Sequence, residues 1–101
     1  MNIFEREYKR GNLIFRTTSQ LESKDWYAWK IWISGPAGMM KKINEVEYIL
    51  HPSFPHRIRR FKNAETGFLL ESEGWGEFDI VVNVFYRGGD ENTFIVPLEL
   101  G

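Results

Sequence analysis

Apolar and polar residues alternate one for one over the longest patterned stretches of this chain, and that period sets what it can fold into. Phe78, Ile80, Val82, Val84 and Tyr86 interleave with Asp79, Val81, Asn83 and Phe85. A period of two places the first set on one face of an extended strand and the second on the other. Val46, Tyr48 and Leu50 interleave with Glu45, Glu47 and Ile49 in the same way. So do Phe94, Val96, Leu98 and Leu100 with Ile95, Pro97 and Glu99. Pro97 has no N–H to give to a ladder, so its strand is expected at a sheet edge, or paired on one side there.

Residues 13–17 and 68–70 read as shorter strands. Residues 25–33 are apolar on both faces, with Tyr27, Trp29, Ile31 and Ile33 on one and Trp26, Ala28 and Trp32 on the other. A strand covered on both sides, or along one side by a partner, has this pattern. The three tryptophans also recur every third residue, as in a helix. The aromatic and β-branched content, and the stop at Gly35-Pro36, favour a strand. Gly35-Pro36-Ala37-Gly38 is a turn signal, residues 39–43 suit a short helical turn, and Gly88-Gly89 marks a hairpin. Seven to eight short strands in about 100 residues, with less than about a tenth helix, predict an all-β, immunoglobulin-like antiparallel β-sandwich. Residues 1–101 fit a single domain.

Composition excludes several function classes. A chain of 101 residues is too short for most enzymes built on a doubly wound sheet or an eight-fold barrel. Thirteen basic residues stand against fourteen acidic ones, a net charge of −1. That balance gives no reason to expect nucleic-acid or membrane partners. The one dense basic stretch, His56, Arg57, Arg59, Arg60 and Lys62, reads as a solvated strand edge that discourages further pairing, with its arginines exposed. An acidic or nucleic-acid partner is the alternative for it. With no cysteine, disulfides and thiolate metal sites are absent. No apolar run reaches the length of a membrane-spanning helix, and residues 1–10 lack the apolar segment of a secretory signal. The expected location is the cytoplasm, or the nucleus if the source is eukaryotic.

No metal or other cofactor is expected, because His51 and His56 have no carboxylate at ligand spacing. Ser53 close to His51 suggests a nucleophile with its base, but no orienting acid or oxyanion hole accompanies them. Ser53 therefore reads as a loop hydroxyl, and no catalytic residue or enzyme activity is expected. Gly88-Gly89-Asp90-Glu91 spells part of a cyclic-dinucleotide cyclase signature. Asn92 follows where that signature has Phe, and the chain is too short for that domain, so the hairpin explains it.

The aromatic content, 16% with four tryptophans, demands a ring-rich core, a binding surface or both. Two loops carry the signal. His51-Pro52-Ser53-Phe54 and Gly74-Trp75-Gly76-Glu77-Phe78 each end a strand and each present a ring. Glycines beside Trp75 let the backbone bend sharply and let a ligand approach main-chain atoms. A tryptophan between two glycines has no obvious core to join, and loops cluster at the ends of a sandwich.

Val46-Glu47-Tyr48-Ile49-Leu50-His51-Pro52-Ser53-Phe54, followed after a gap by Glu73-Gly74-Trp75-Gly76-Glu77-Phe78, resembles the YEATS domain family. The likeness reaches back to Trp26 and Gly35-Pro36 and forward through Phe85. It implies an immunoglobulin-like sandwich that reads acylated lysine, acetyl or crotonyl, on a protein or peptide. By that resemblance Phe54 and Trp75 are the rings of an aromatic cage that sandwich the acyl-amide. His51 lines the pocket, and the Ser53 hydroxyl bonds the amide. Gly74, Gly76 and Phe78 frame the loop, and the Trp75 N–H bonds the acyl carbonyl. Pro52 stands where nuclear readers typically carry Glu, and Pro97 about where some place an acidic residue. These departures look like the prokaryotic branch. The chemistry is coherent, since an acylated lysine ends in a flat, neutral amide that aromatic faces cover and one donor and one acceptor satisfy. The alternative is a structural or protein-interaction sandwich in which the same rings stabilise the loops and an edge strand docks a partner.

Overall fold

In the computed structural model, which describes residues 3–101, the alternating stretches become the strands of two packed antiparallel sheets. The elements are β1 (Phe4–Arg10), β2 (Leu13–Ser23), β3 (Trp26–Ser34), α1 (Ala37–Lys41), β4 (Ile43–Ile49), β5 (Ile58–Phe61), β6 (Leu70–Gly74), β7 (Phe78–Tyr86) and β8 (Glu91–Leu98). One sheet has the order β1-β2-β3-β6 and the other β5-β4-β7-β8. Strands take 61% and helix 8% of the described residues, so the all-β, immunoglobulin-like sandwich is what forms.

The core is the sum of the inward-facing alternate positions. Leu13, Phe15, Trp29, Ile31, Ile33 and Leu70 come from the first sheet, and Val46, Tyr48, Ile80, Val82, Val84, Val96 and Leu98 from the second. Tyr48 is fully buried and donates its hydroxyl to the Phe68 carbonyl at 2.8 Å. That bond ties β4 to the segment leading into β6 and satisfies a buried carbonyl. Burial pushes the Tyr48 phenol far above its usual range.

The outer face of the second sheet carries a polar ladder running across all four strands. Cross-strand register aligns Arg60, Glu47, Asn83 and Thr93. Arg60 donates to Glu47 at 2.8 Å, Asn83 donates to the other Glu47 oxygen at 2.8 Å, and Thr93 donates to Asn83 at 2.7 Å. Glu47 is thereby nearly buried on a solvent-side face with its charge paired.

Several expectations hold and several are corrected. Pro97 lies on β8, an edge strand, and pairs only with Asp79 of β7. Gly88 and Gly89 turn the β7–β8 hairpin in the left-handed region. The helix starts at Ala37, so Ala37 and Gly38 belong to it rather than to the turn before it. Residues 68–70 are not the strand: it runs from Leu70 to Gly74, and Phe68 precedes it with positive φ. The shorter strand at 13–17 is half of an eleven-residue strand. Its last three residues are exposed, so no buried alternate face marks that end as strand. The charged N-terminal segment is β1, an edge strand that pairs with β2. It closes on the other sheet through Tyr8 and Arg6, both of which donate to Glu99. β3 is not covered on both faces: Trp26 is exposed and Trp32 half-buried, with no second layer over them. In the basic stretch, Arg57 and Arg60 are exposed but Arg59 is half-buried. Its guanidinium folds back to donate to the Pro55 and His56 carbonyls.

Candidate functional site

The loop after β4 and the loop between β6 and β7 meet at one end of the sandwich. The cross-strand pairs explain why. Ile49 pairs with Val81, which brings the end of β4 beside the start of β7, while Tyr27 pairs with Gly74, which brings the start of β3 beside the end of β6. Between the two loops opens a cleft of about 270 Å³. Its size suits the end of a side chain better than a cofactor, since pockets for drug-sized ligands run from roughly 300 to 1,000 Å³. All seven residues singled out from the sequence line it: His51, Ser53, Phe54, Gly74, Trp75, Gly76 and Phe78. Trp26, Pro55, Glu73 and Glu77 join them. The two glutamates flank Gly74-Trp75-Gly76 and were visible in the sequence. Trp26 needed the β3–β6 pairing, which no local pattern gives.

One wall is rigid. Phe54 packs edge-on against buried Trp29, with centroids 6.1 Å apart and planes at 85°. It meets Phe78 at 5.3 Å, and Phe78 in turn contacts Trp29 at 6.0 Å. His51 stands 6.1 Å from Phe78. Tilted and edge-to-face pairs of this kind match the ring quadrupoles and hold Phe54 in place. The Phe54 N–H donates to the His51 carbonyl at 3.0 Å, closing the loop as a turn. At the loop's far end Leu50 donates to the Arg57 carbonyl at 2.7 Å, while the Arg57 side chain donates to the Leu50 carbonyl at 3.2 Å.

The opposite wall is free. Trp75 is 71% exposed, and among the described residues it makes no ring contact and no side-chain hydrogen bond. It has not collapsed onto Phe54. Neither neighbouring glycine has positive φ, so the expected sharp bend is not what they supply. Gly74 is buried at the end of β6, and a Cβ there would stand 3.4 Å from Phe54 Cζ. Phe54 lies against the strand here, at a distance where a Cβ would make ordinary van der Waals contact with its ring. A Cβ at Gly76 would meet nothing within 4 Å, so the space beside it is open.

The polar groups are set by a local bond pattern. The Ser53 backbone N–H donates to His51 Nδ1 at 3.1 Å, and Ser53 Oγ lies 2.8 Å from the same nitrogen. A nitrogen that accepts from a backbone N–H carries no proton, so the neutral imidazole is protonated on Nε2. Ser53 Oγ–H is then the donor in its contact with Nδ1, and the Oγ lone pairs are left to accept. Among the described residues no group of three potential metal ligands converges anywhere.

Residues 27–98 match the model of the prokaryotic YEATS domain. The chain belongs to this family. This YEATS domain is 31% identical over 64 residues to a Protein AF-9 homolog from Gibberella zeae, covering 59% of this chain and 24% of that protein. It is 29% identical over 75 residues to the Protein AF-9 homolog of Candida glabrata, covering 72% of this chain and 33% of the relative. The matched region therefore spans only about a quarter to a third of these relatives. Among solved structures, the Yaf9 YEATS domain bound to H3K27ac superposes with a TM-score of 0.76 at 23% identity, covering 99% of this chain and 75% of that one. The Yaf9 YEATS domain recognising an H3K122suc peptide gives 0.71 at 23% identity, with 98% and 75% covered. At that identity the likeness establishes the shared fold.

Proposed function

We propose that the cleft holds the acylated end of a lysine side chain, and that this YEATS domain is a binding module rather than an enzyme. The observation that carries the proposal is the asymmetry of its walls. Phe54 is locked by Trp29 and Phe78, while Trp75 stands free across the cleft with nothing of its own to pack on. A flat group slid between them supplies the missing contact. Ser53, with its hydroxyl proton held by His51 Nδ1, accepts the N–H of the acyl-amide. The Trp75 backbone N–H donates to the acyl carbonyl. An unmodified lysine would bring an ammonium that needs several acceptors, and would lose its hydration without replacing it. The acetylated histone peptide named for one Yaf9 YEATS domain supports an acyl-lysine ligand for this relative.

Each stacked face adds about 0.5–1.5 kcal/mol beyond area burial. The serine bond adds about 0.5–1.5 kcal/mol net. After association costs this amounts to binding in roughly the micromolar to millimolar range. Calorimetric titration with acetyl-, crotonyl- and unmodified-lysine peptides tests it. Saturable binding of the acylated peptides alone is the expected result, and equal binding of all three, or of none, overturns it. A structural plug is the competing reading, and the exposure of Trp75 weighs against it.

A further inference from the structure

We infer that Glu73 and Glu77 set the charge selectivity of the cleft, so that it takes neutral acyl groups and turns away acyl groups that end in a carboxylate. The inference rests on the acyl-lysine reading above and deepens it to the class of acyl group.

Of the residues lining the cleft only His51, Glu73 and Glu77 ionise, and no lysine or arginine is among them. Elsewhere among the described residues, four glutamates sit beside a cation. Glu7 meets Arg16, Glu47 meets Arg60, Glu71 meets Lys30 and Glu99 meets Arg6. Neither cleft glutamate has such a partner among the described residues. Glu73 is exposed at the rim and makes no hydrogen bond, and Glu77 accepts the Leu100 N–H at 2.7 Å, a bond that leaves its charge uncompensated. The neighbouring basic stretch does not supply the missing charge. Arg57 is turned to the Leu50 carbonyl, Arg59 to the Pro55 and His56 carbonyls, and Arg60 to Glu47. None of the three lines the cleft.

An acetyl or crotonyl group adds no charge to this setting. A succinyl group adds a carboxylate beyond the amide, and that carboxylate meets two like charges in a cleft whose apolar walls strengthen the repulsion. No cation in the lining repays its lost hydration. Part of the effect is screened by salt, because the glutamates reach solvent.

The test is calorimetry on the full chain with one peptide of uncharged flanks, carrying crotonyl-lysine or succinyl-lysine. It is run on the parent and on a Glu73→Gln/Glu77→Gln variant, at low and physiological salt. Glutamine keeps the oxygen that accepts from Leu100. The parent is expected to bind the crotonyl peptide at least about tenfold more tightly than the succinyl one at low salt. The double variant, melting like the parent, narrows that ratio to about threefold or less, and added salt narrows it in the parent. Crotonyl binding with equal succinyl binding overturns the inference and leaves the acyl-lysine reading standing. An unchanged ratio in the double variant overturns the assignment to these glutamates. Binding of neither peptide overturns the reading itself, and the inference with it.

Discussion

Ser53 holds His51 by two contacts at once: its backbone N–H donates to His51 Nδ1 at 3.1 Å, and its hydroxyl lies 2.8 Å from that same nitrogen. The pair is a two-residue device for orienting an oxygen. Because Nδ1 is spoken for by a backbone donor, the serine proton points at the ring and the lone pairs point elsewhere.

Removing the hydroxyl therefore costs one ligand bond and little else. Ser53→Ala is expected to weaken acyl-lysine binding by roughly threefold to tenfold, the worth of one hydrogen bond. Ser53 and His51 are both exposed, so thermal stability should be unchanged. A Ser53→Ala protein that binds like the parent would show that the oxygen faces no ligand.

The two rings should separate binding from stability. Trp75→Ala removes a wall that packs on nothing, so it should abolish detectable binding while shifting the melting temperature by no more than about 2 °C. Phe54→Ala opens a hole against Trp29, Phe78 and Gly74, and should cost roughly 1–3 kcal/mol of stability in addition to binding. Parallel denaturant melts and titrations of the two variants measure this. A sharp loss of stability in Trp75→Ala would make that ring structural.

The strands that bury one face were legible because alternation reports burial directly: β7 reads straight from Phe78 to Tyr86. β1 was not, since an edge strand that buries only part of Phe4, Tyr8 and Arg10 leaves a mostly charged pattern. The cleft was legible to the extent that its parts are local. His51, Ser53 and Phe54 lie in one loop, and Trp75 announces itself between two glycines. The bend expected of those glycines does not form, since a glycine in sequence does not say which backbone angle it takes and neither has positive φ. Trp26 enters through strand pairing, and the locking of Phe54 through Trp29. Both are contacts between residues far apart in sequence, which no short window carries.

Gly67 is a position where both the backbone angle and the space around it demand glycine. It ends the 3-10 turn Ala64–Thr66 with φ of 69°, and a Cβ there would stand 2.5 Å from the Ile33 carbonyl oxygen. The Ile33 N–H also donates to the Gly67 carbonyl at 2.8 Å, so neither strand nor turn can draw back freely. Gly67→Ala is expected to cost roughly 2–4 kcal/mol, combining left-handed strain with a backbone clash. Gly76→Ala, with open space around its Cβ, should leave stability unchanged. Equal melting temperatures for the two variants would contradict this account.

Alkali should unfold the domain through its tyrosines. Desolvation, and then the hydrogen bond to Glu99, pushes the Tyr8 phenol up to about 12, and burial raises Tyr48 and Tyr86 as well. In the unfolded chain these phenols ionise near pH 10. Between the unfolded and folded values the unfolded state has lost protons that the folded state keeps, so stability is intact below about pH 10 and falls as pH rises through about 12. Glu99 works in the opposite direction: its carboxyl is held below the usual range, first by the Tyr8 hydrogen bond and then by Arg6. Its contribution is present above the ordinary carboxylate pKa and is lost as pH falls through the lowered value. Denaturant midpoints should therefore hold up to about pH 10 and drop between about pH 10 and pH 12. Tyrosinate absorbance should rise together with the loss of β-sheet circular dichroism rather than before it. Tyr8→Phe removes one of the three groups and should make the alkaline decline shallower. Tyrosinate appearing fully while the sheets remain intact would show that the phenols titrate freely in the folded domain.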